Sequence, residues 1–203
     1  MKLFYGPNSI ARASLITLEE IGVPYEAVRL DLKAGGQRSG EYLAVNPKGR
    51  VPALVTDRGT LTETPAILTF LAHRFPDAGL LPDDAFDAAR AQEMNAYLCS
   101  TVHVSHAHRT RGARWSDDPA VIDGLKVKVA RNVSDHFAYL EGRFTGPWVL
   151  GETYSIADPY LFVLSGWIGA DGVDLNQFPR IAAHHAAMKA RPAVQRALAV
   201  EGA

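Results

Sequence analysis

The sequence predicts an α+β chain, with a small mixed sheet and its helices first and an all-helical half after it. Three observations carry this. Runs of β-type character fall only before residue 65: Lys2–Tyr5, Tyr25–Leu32, and the pair Ala53–Val55 and Thr60–Thr62. The stretch from Asp77 to Asp84, DAGLLPDD, is dense in turn residues and reads as a linker. From Ala85 onward apolar residues recur at helical spacing, with no convincing strand.

Taken in order, Lys2–Tyr5 reads as a short buried strand, Gly6-Pro7-Asn8 as a turn, and Ser9 as the cap of the next helix. Ala11, Leu15, Leu18 and Ile21 share one helical face, and Gly22 stops it. Tyr25–Leu32 alternates and predicts a second strand. A glycine-rich loop, Ala34–Gly40, leads to a short helix over Glu41–Val45. Asn46-Pro47-Lys48-Gly49 is a turn signal, and Val51-Pro52 enters the run Ala53-Leu54-Val55. Asp57-Arg58-Gly59 connects this as a hairpin to Thr60-Leu61-Thr62. Thr64 is the expected N-cap of a helix with Pro65 at its first position, where a missing N–H costs nothing. The order is βαβ, hairpin, helix. A right-handed crossover makes the first two strands parallel, which is the thioredoxin-like arrangement.

The expected domains are therefore residues 1–76, a linker over 77–84, and an all-helical domain over 85–203. Within the latter, 85–111 reads as one long helix and 119–142 as a second. Ser155-x-x-Asp158 is a capping box that opens a helix running through Trp167. That helix is apolar nearly all round, so it is expected to be central and buried. Two shorter helices follow, over 178–190 and 192–200.

At 203 residues the chain is long enough to bury a sizeable core. A net charge of -1 argues against a nucleic-acid or membrane-surface partner, and no apolar run is long enough to span a bilayer. Met1–Tyr5 enters a strand directly, without a signal peptide, and a single cysteine, Cys99, excludes an intrachain disulfide. The expected location is the cytoplasm. Cys99, inside the long helix, reads as a packed small hydrophobe. Trp115, Trp148 and Trp167 read as core.

The region from Asn46 to Ile67 has binding character. A cis Val51–Pro52 bond would present the backbone of Val51 to an extended peptide, as an added strand. The N–H groups after Thr64 and the positive end of the helix dipole attract a carboxylate. Glu63 beside them suits an ammonium. Together they fit a small peptide with an amino-acid head.

VNPKGRVPAL followed by LTETPAI resembles the glutathione site of the glutathione S-transferase family. MKLFYGP at the start and Tyr154-Ser155-Ile156-Ala157-Asp158 resemble the same family, and the likeness covers nearly the whole chain. It is closest to the bacterial beta-like members. The resemblance implies glutathione as co-substrate, no metal, a homodimer, and transfer of the thiol to a small electrophile. Alternatives are a glutathione-dependent isomerase or reductase, or a non-catalytic glutathione-sensing protein. The resemblance also implies that Asn8, Lys33, Arg50, Val51, Pro52, Glu63 and Thr64 bind glutathione. Ser100 would reach the glutathione of a neighbouring subunit.

A free thiol with a pKa of about 8.5 is only a few per cent thiolate at neutral pH, and a shift of two units needs about 2.7 kcal/mol. Beta-like members carry a cysteine where this chain has Ile10, which counts against Cys-based redox chemistry. Ser9 is the leading hydroxyl donor to the sulfur, with Tyr5 and Asn8 as alternatives. His103 matches a histidine that faces the thiol, although Val104 stands where a lysine usually follows. His103 and His106 share a helix face without a third metal ligand. With Arg109, Arg111 and Arg114 nearby, His106, Arg109 and Arg111 are expected to shape the electrophile site.

Overall fold

The computed structural model describes residues 1–202. Four strands form one mixed sheet in the order β2-β1-β3-β4: β1 (Lys2–Tyr5), β2 (Glu26–Arg29), β3 (Ala53–Thr56) and β4 (Gly59–Thr62). β1 and β2 are parallel, with Leu3 opposite Ala27. β3 is antiparallel to both β1 and β4, placing Leu54 opposite Leu3 on one side and Leu61 on the other. Leu3 and Leu54 are fully buried. Helices α1 (Ala11–Ile21) and α3 (Thr64–Arg74) pack together beside them, and α2 (Gly40–Val45) contributes Tyr42, whose ring lies 5.4 Å from Phe4. This is the thioredoxin-like arrangement expected from the element order.

The helical half comprises α4 (Ala85–Tyr97), α5 (His103–Arg111), α6 (Pro119–Val127), α7 (Val129–Arg143), α8 (Ala157–Ser165), α9 (Pro179–Ala190) and α10 (Pro192–Glu201). Every residue of α8 is buried, as its apolar circumference requires. α1 packs against both α8 and α10, which joins the two halves. The carboxylate of Asp158 is wholly buried and accepts the N–H groups of Ser155 at 2.7 Å and Val149 at 2.8 Å, with His184 Nε2 3.0 Å away. Ser155 Oγ accepts the Ala157 N–H at 3.2 Å. The capping box thus also ties α9 and the preceding loop to the central helix.

Several boundaries differ from expectation. β2 is four residues rather than eight because it is an edge strand, and the Asp31 carboxylate takes the N–H groups of Lys33 and Ala34, turning the chain off the sheet. Thr64 is the first helical residue of α3, not its cap. Glu63 occupies the cap position at φ 72° without a side-chain cap bond. Ile10, not Ser9, holds the cap position of α1, although Ser9 Oγ accepts the Ala11 N–H at 3.3 Å. The long helix is interrupted by a π-helical segment, Leu98–Val102, and the next one is broken at Lys128. Apart from the sheet, only the single bridges Trp148–Gly151 and Leu150–Thr153 have β character among the described residues.

Candidate functional site

A cleft of about 1530 Å³ lies between the sheet domain and the helical half. That exceeds the usual volume of a single small-ligand pocket, about 300–1,000 Å³. It is built from the β1–α1 turn, the loop after β2, the entry to β3, the β4–α3 junction, one face of α5 with the turn beyond it, and single residues from the segment before α5 and from α8 and the turn after it.

The entry to β3 is held from beneath. Tyr42 Oη and Asn46 Nδ2 both donate to the Arg50 carbonyl at 2.6 Å, and Asn46 Oδ1 accepts the Lys48 N–H at 3.1 Å. The Val51–Pro52 bond is cis. β3 begins at Ala53, and the N–H and C=O of Val51 have no backbone partner among the described residues. They are open to an extended peptide in the cleft.

At the β4–α3 junction, the missing side-chain cap leaves the first N–H groups of an 11-residue helix unsatisfied, with Thr64 on the cleft wall. Those groups and the dipole favour a carboxylate. Glu63 stands beside them in a backbone conformation that non-glycine residues rarely adopt, a feature concentrated at binding sites. Its exposed carboxylate is paired with Lys48.

The β1–α1 turn brings Asn8, Ser9 and Ile10 to the cleft, with Asn8 at φ 54°. Ser9 is 8% exposed and donates its hydroxyl to the Gly6 carbonyl at 2.6 Å. On the helical side His103 lies with Nδ1 3.4 Å from Tyr160 Oη and its ring 5.4 Å from that of Trp167. Burial, and then the charges of Arg111, His106, Arg114 and Arg50, push the His103 pKa down to about 4. The imidazole is held neutral at pH 7, where it offers a hydrogen bond to a group in the cleft but is a weak base.

Of the residues expected from the sequence, Asn8, Ser9, Lys33, Arg50, Val51, Pro52, Glu63, Thr64, His103 and Arg111 line this cleft. Four do not. The Tyr5 hydroxyl donates to the Val200 carbonyl at 2.9 Å, committing the ring to the contact with α10. His106 is buried against Asp171, and Arg109 Nε donates to the same carboxylate at 2.8 Å, so both turn away from the electrophile side. Ser100 is exposed, with its Oγ 3.4 Å from that of Thr101, and is outside the cleft of its own chain.

Cys99, Trp115 and Trp167, which the sequence assigns to packing, line the cleft, and so does Tyr160. Cys99 is only partly buried. The π segment puts an extra residue into the turn and rotates the helix face, so simple helical periodicity misplaces it. Tyr160 sits in a run of apolar residues that carries no signal for a site. Its phenol is raised by burial and then by Cys99 beside it. The Asn46-Pro47 turn is legible as a turn, but not as the support of Arg50.

The fold and cleft define a thioredoxin-like module joined to a helical module, with a peptide-binding edge facing a helical wall. Residues 1–73 match the model of the glutathione S-transferase N-terminal domain, and residues 123–200 that of the glutathione S-transferase C-terminal domain. The glutathione S-transferase GstA of Escherichia coli O157:H7 is 36% identical over 206 residues, covering 100% of this chain and 99% of the relative. A glutathione transferase homologue from Sulfitobacter, solved with bound glutathione, superposes with a TM-score of 0.95 at 40% identity, covering 99% of this chain and 97% of the other. A sphingomonad glutathione S-transferase complexed with glutathione gives 0.88 at 36%, covering 100% and 99%. The chain belongs to the glutathione S-transferase family.

Proposed function

We propose that this protein is a glutathione transferase that binds glutathione along the β3 entry and activates its thiol for attack on a small electrophile. The observation that carries the reading is the convergence on one cleft of the unpaired Val51 backbone, Glu63 and the uncapped start of α3. Val51 pairs the peptide backbone of glutathione. Glu63 takes the ammonium of the γ-glutamyl head, and the Thr64 end of α3 takes its carboxylate. Lys33 and Arg50 supply charge for the glycine carboxylate. Ser9 turns its proton from Gly6 to the sulfur, with Asn8 beside it, and neutral His103 faces the reacting atoms. The thiol proton is released to solvent, the thiolate forms a bond to the electron-poor carbon, and the leaving group departs with its electron pair.

The protein is further proposed to act as a homodimer in the cytoplasm, in detoxification. Phe86 is 71% exposed, close to an apolar groove between α3 and α4 lined by Pro65, Ala66, Phe70 and Leu81, which supports pairing of two copies. In such a dimer Ser100 would reach the neighbouring glutathione. No helix among the described residues is long and apolar enough to cross a membrane. No group of three or more candidate metal ligands occurs among them.

Calorimetry with glutathione tests the head-group assignment. Glu63→Gln removes a charge-assisted partner worth about 1.5–3 kcal/mol, so affinity falls by more than tenfold while the fold is kept. Unchanged affinity would remove the basis for this site.

A further inference from the structure

The helical wall of the cleft carries arginines that no acid neutralises. Arg111 ends α5, Arg114 follows in the next turn, and Arg50 comes from the sheet domain immediately before Val51. All three line the cleft. Elsewhere in the chain Arg12, Arg109, Arg191 and Arg196 each hold a carboxylate, whereas Arg50, Arg111 and Arg114 form no ion pair among the described residues.

The three guanidinium groups feel one another. Burial first, and then Arg50, lowers the pKa of Arg111, and burial followed by Arg111, Arg50 and Arg38 lowers that of Arg114. Like charges crowded without a counter-ion oppose folding, and this positive patch, in a cleft that Asp31 and Glu63 also line, concentrates anions at its own end. Trp115 also lines the cleft and is 47% exposed, with its ring 4.5 Å from that of His108. Between His103 and the arginines, the α5 face presents the compact side chains Val104, Ala107 and Thr110. A flat ring can lie against this surface with a charged end at the arginines.

We infer that the second-substrate side of the cleft recognises an organic anion: a planar, carboxylate-bearing electrophile whose carboxylate is held by Arg111 and Arg114. Arg50, on the sheet side, is taken up by glutathione, and Trp115 receives the ring. Arginine suits this role because its planar fork matches a carboxylate with two parallel hydrogen bonds. The inference rests on the transferase reading for the chemistry after binding, but the binding itself is measurable without turnover.

The probes are 4-chloro-3-nitrobenzoate and its methyl ester, which differ in the charge and share the carbon that thiolate attacks with loss of chloride. Binding is read by quenching of tryptophan fluorescence in full-length protein saturated with S-methylglutathione, which has no free thiol. The acid is expected to bind at least tenfold more tightly than the ester at low salt. That preference should shrink at high salt and disappear in the Arg111→Gln/Arg114→Gln double variant. Equal binding of acid and ester by the parent, or a preference that survives the double substitution, overturns the inference. So does a loss of glutathione affinity in the variant as large as its loss for the acid, since the arginines would then serve glutathione. Turnover with glutathione, each rate divided by its uncatalysed rate, separates the two readings. Conjugation of both probes without charge preference overturns the anion site and leaves the transferase intact. Charge-selective binding with no conjugation of either probe overturns the transferase reading and leaves the anion site standing.

Discussion

Glu201, in the last turn of α10, accepts a hydrogen bond from Arg12 Nε at 2.8 Å, near the start of α1. The same carboxylate oxygen lies 3.3 Å from the Asn8 backbone nitrogen and accepts its N–H. The Glu201 side chain is fully buried and that of Arg12 nearly so. The turn that lines the cleft at Asn8 and Ser9 is therefore anchored by a charge from the last helix of the chain, with Asn8 held at positive φ.

Removing one partner of a buried ion pair strands the other, at a cost of about 3–5 kcal/mol. Glu201→Ala is expected to lose stability on that scale in denaturant unfolding and to weaken glutathione binding through a loosened turn. Glu201→Gln keeps an acceptor for the Asn8 N–H and should recover much of the binding but little of the stability. Parent-like unfolding of the alanine variant would show that the pair contributes nothing.

Asp158 lies outside the cleft and serves the central helix. Asp158→Ala deprives two buried N–H groups of their acceptor and leaves His184 Nε2 without its partner. The expected loss is about 3 kcal/mol. For a chain of this size that corresponds to a fall in melting temperature of about 6–12 °C. Glutathione affinity of the folded fraction should stay at the parent value. A melting temperature equal to the parent's would contradict the capping role.

What was legible in the sequence followed local chemistry. Gly22 stopping α1, the Asp57-Arg58 hairpin and the apolar run of α8 are short-range patterns, and each produced its element. That residues 50–52 and 63–64 share one cleft was legible because one continuous stretch supplies them. Failures came where distant parts decide. Tyr5 is turned from the cleft by Val200, and His106 and Arg109 by Asp171, all partners more than 60 positions away. The π segment that exposes Cys99 to the cleft leaves no mark in the apolar spacing.

Two histidines contribute most to a pH dependence of stability, and His136, lowered first by burial, adds in the same direction. His185 has Nδ1 2.7 Å from Ser165 Oγ and its ring stacked on Phe162 at 4.6 Å. Burial, then His184, Lys189 and Arg12, push its pKa down to about 4, matching the shift of His103. Between the ordinary histidine value of 6.5 and about 4 the unfolded chain binds these protons and the folded chain does not. Stability from both groups is complete above pH 6.5 and is lost as pH falls toward 4. Urea midpoints measured from pH 7.5 down to 4 should decline through that window, and His185→Asn should flatten the decline. A flat profile in the parent would mean that these imidazoles protonate as freely in the fold as outside it.

The sulfur donor is decided by a pair of substitutions. Ser9 is within the cleft with its proton on the Gly6 carbonyl, a bond it must exchange to reach a thiolate. The Tyr5 hydroxyl is occupied by Val200 and raised first by burial, so it has neither the position nor the acidity to compete. Ser9→Ala is therefore expected to raise the pKa of bound glutathione by about one unit, read as thiolate absorbance against pH. That is about 1.4 kcal/mol, the scale of one hydrogen bond to an anion. Affinity for glutathione should change little, because Val51, Glu63 and the start of α3 hold the peptide. Tyr5→Phe should leave the thiolate pKa where it is and cost about 1 kcal/mol of stability through the lost bond to Val200. A shift with the tyrosine change and none with the serine change would reverse the assignment. If neither shifts it, no side-chain hydroxyl takes part, and either the Asn8 amide or the Ile10 N–H, which has no backbone partner within the turn, stabilises the thiolate, or the bound thiol is not activated.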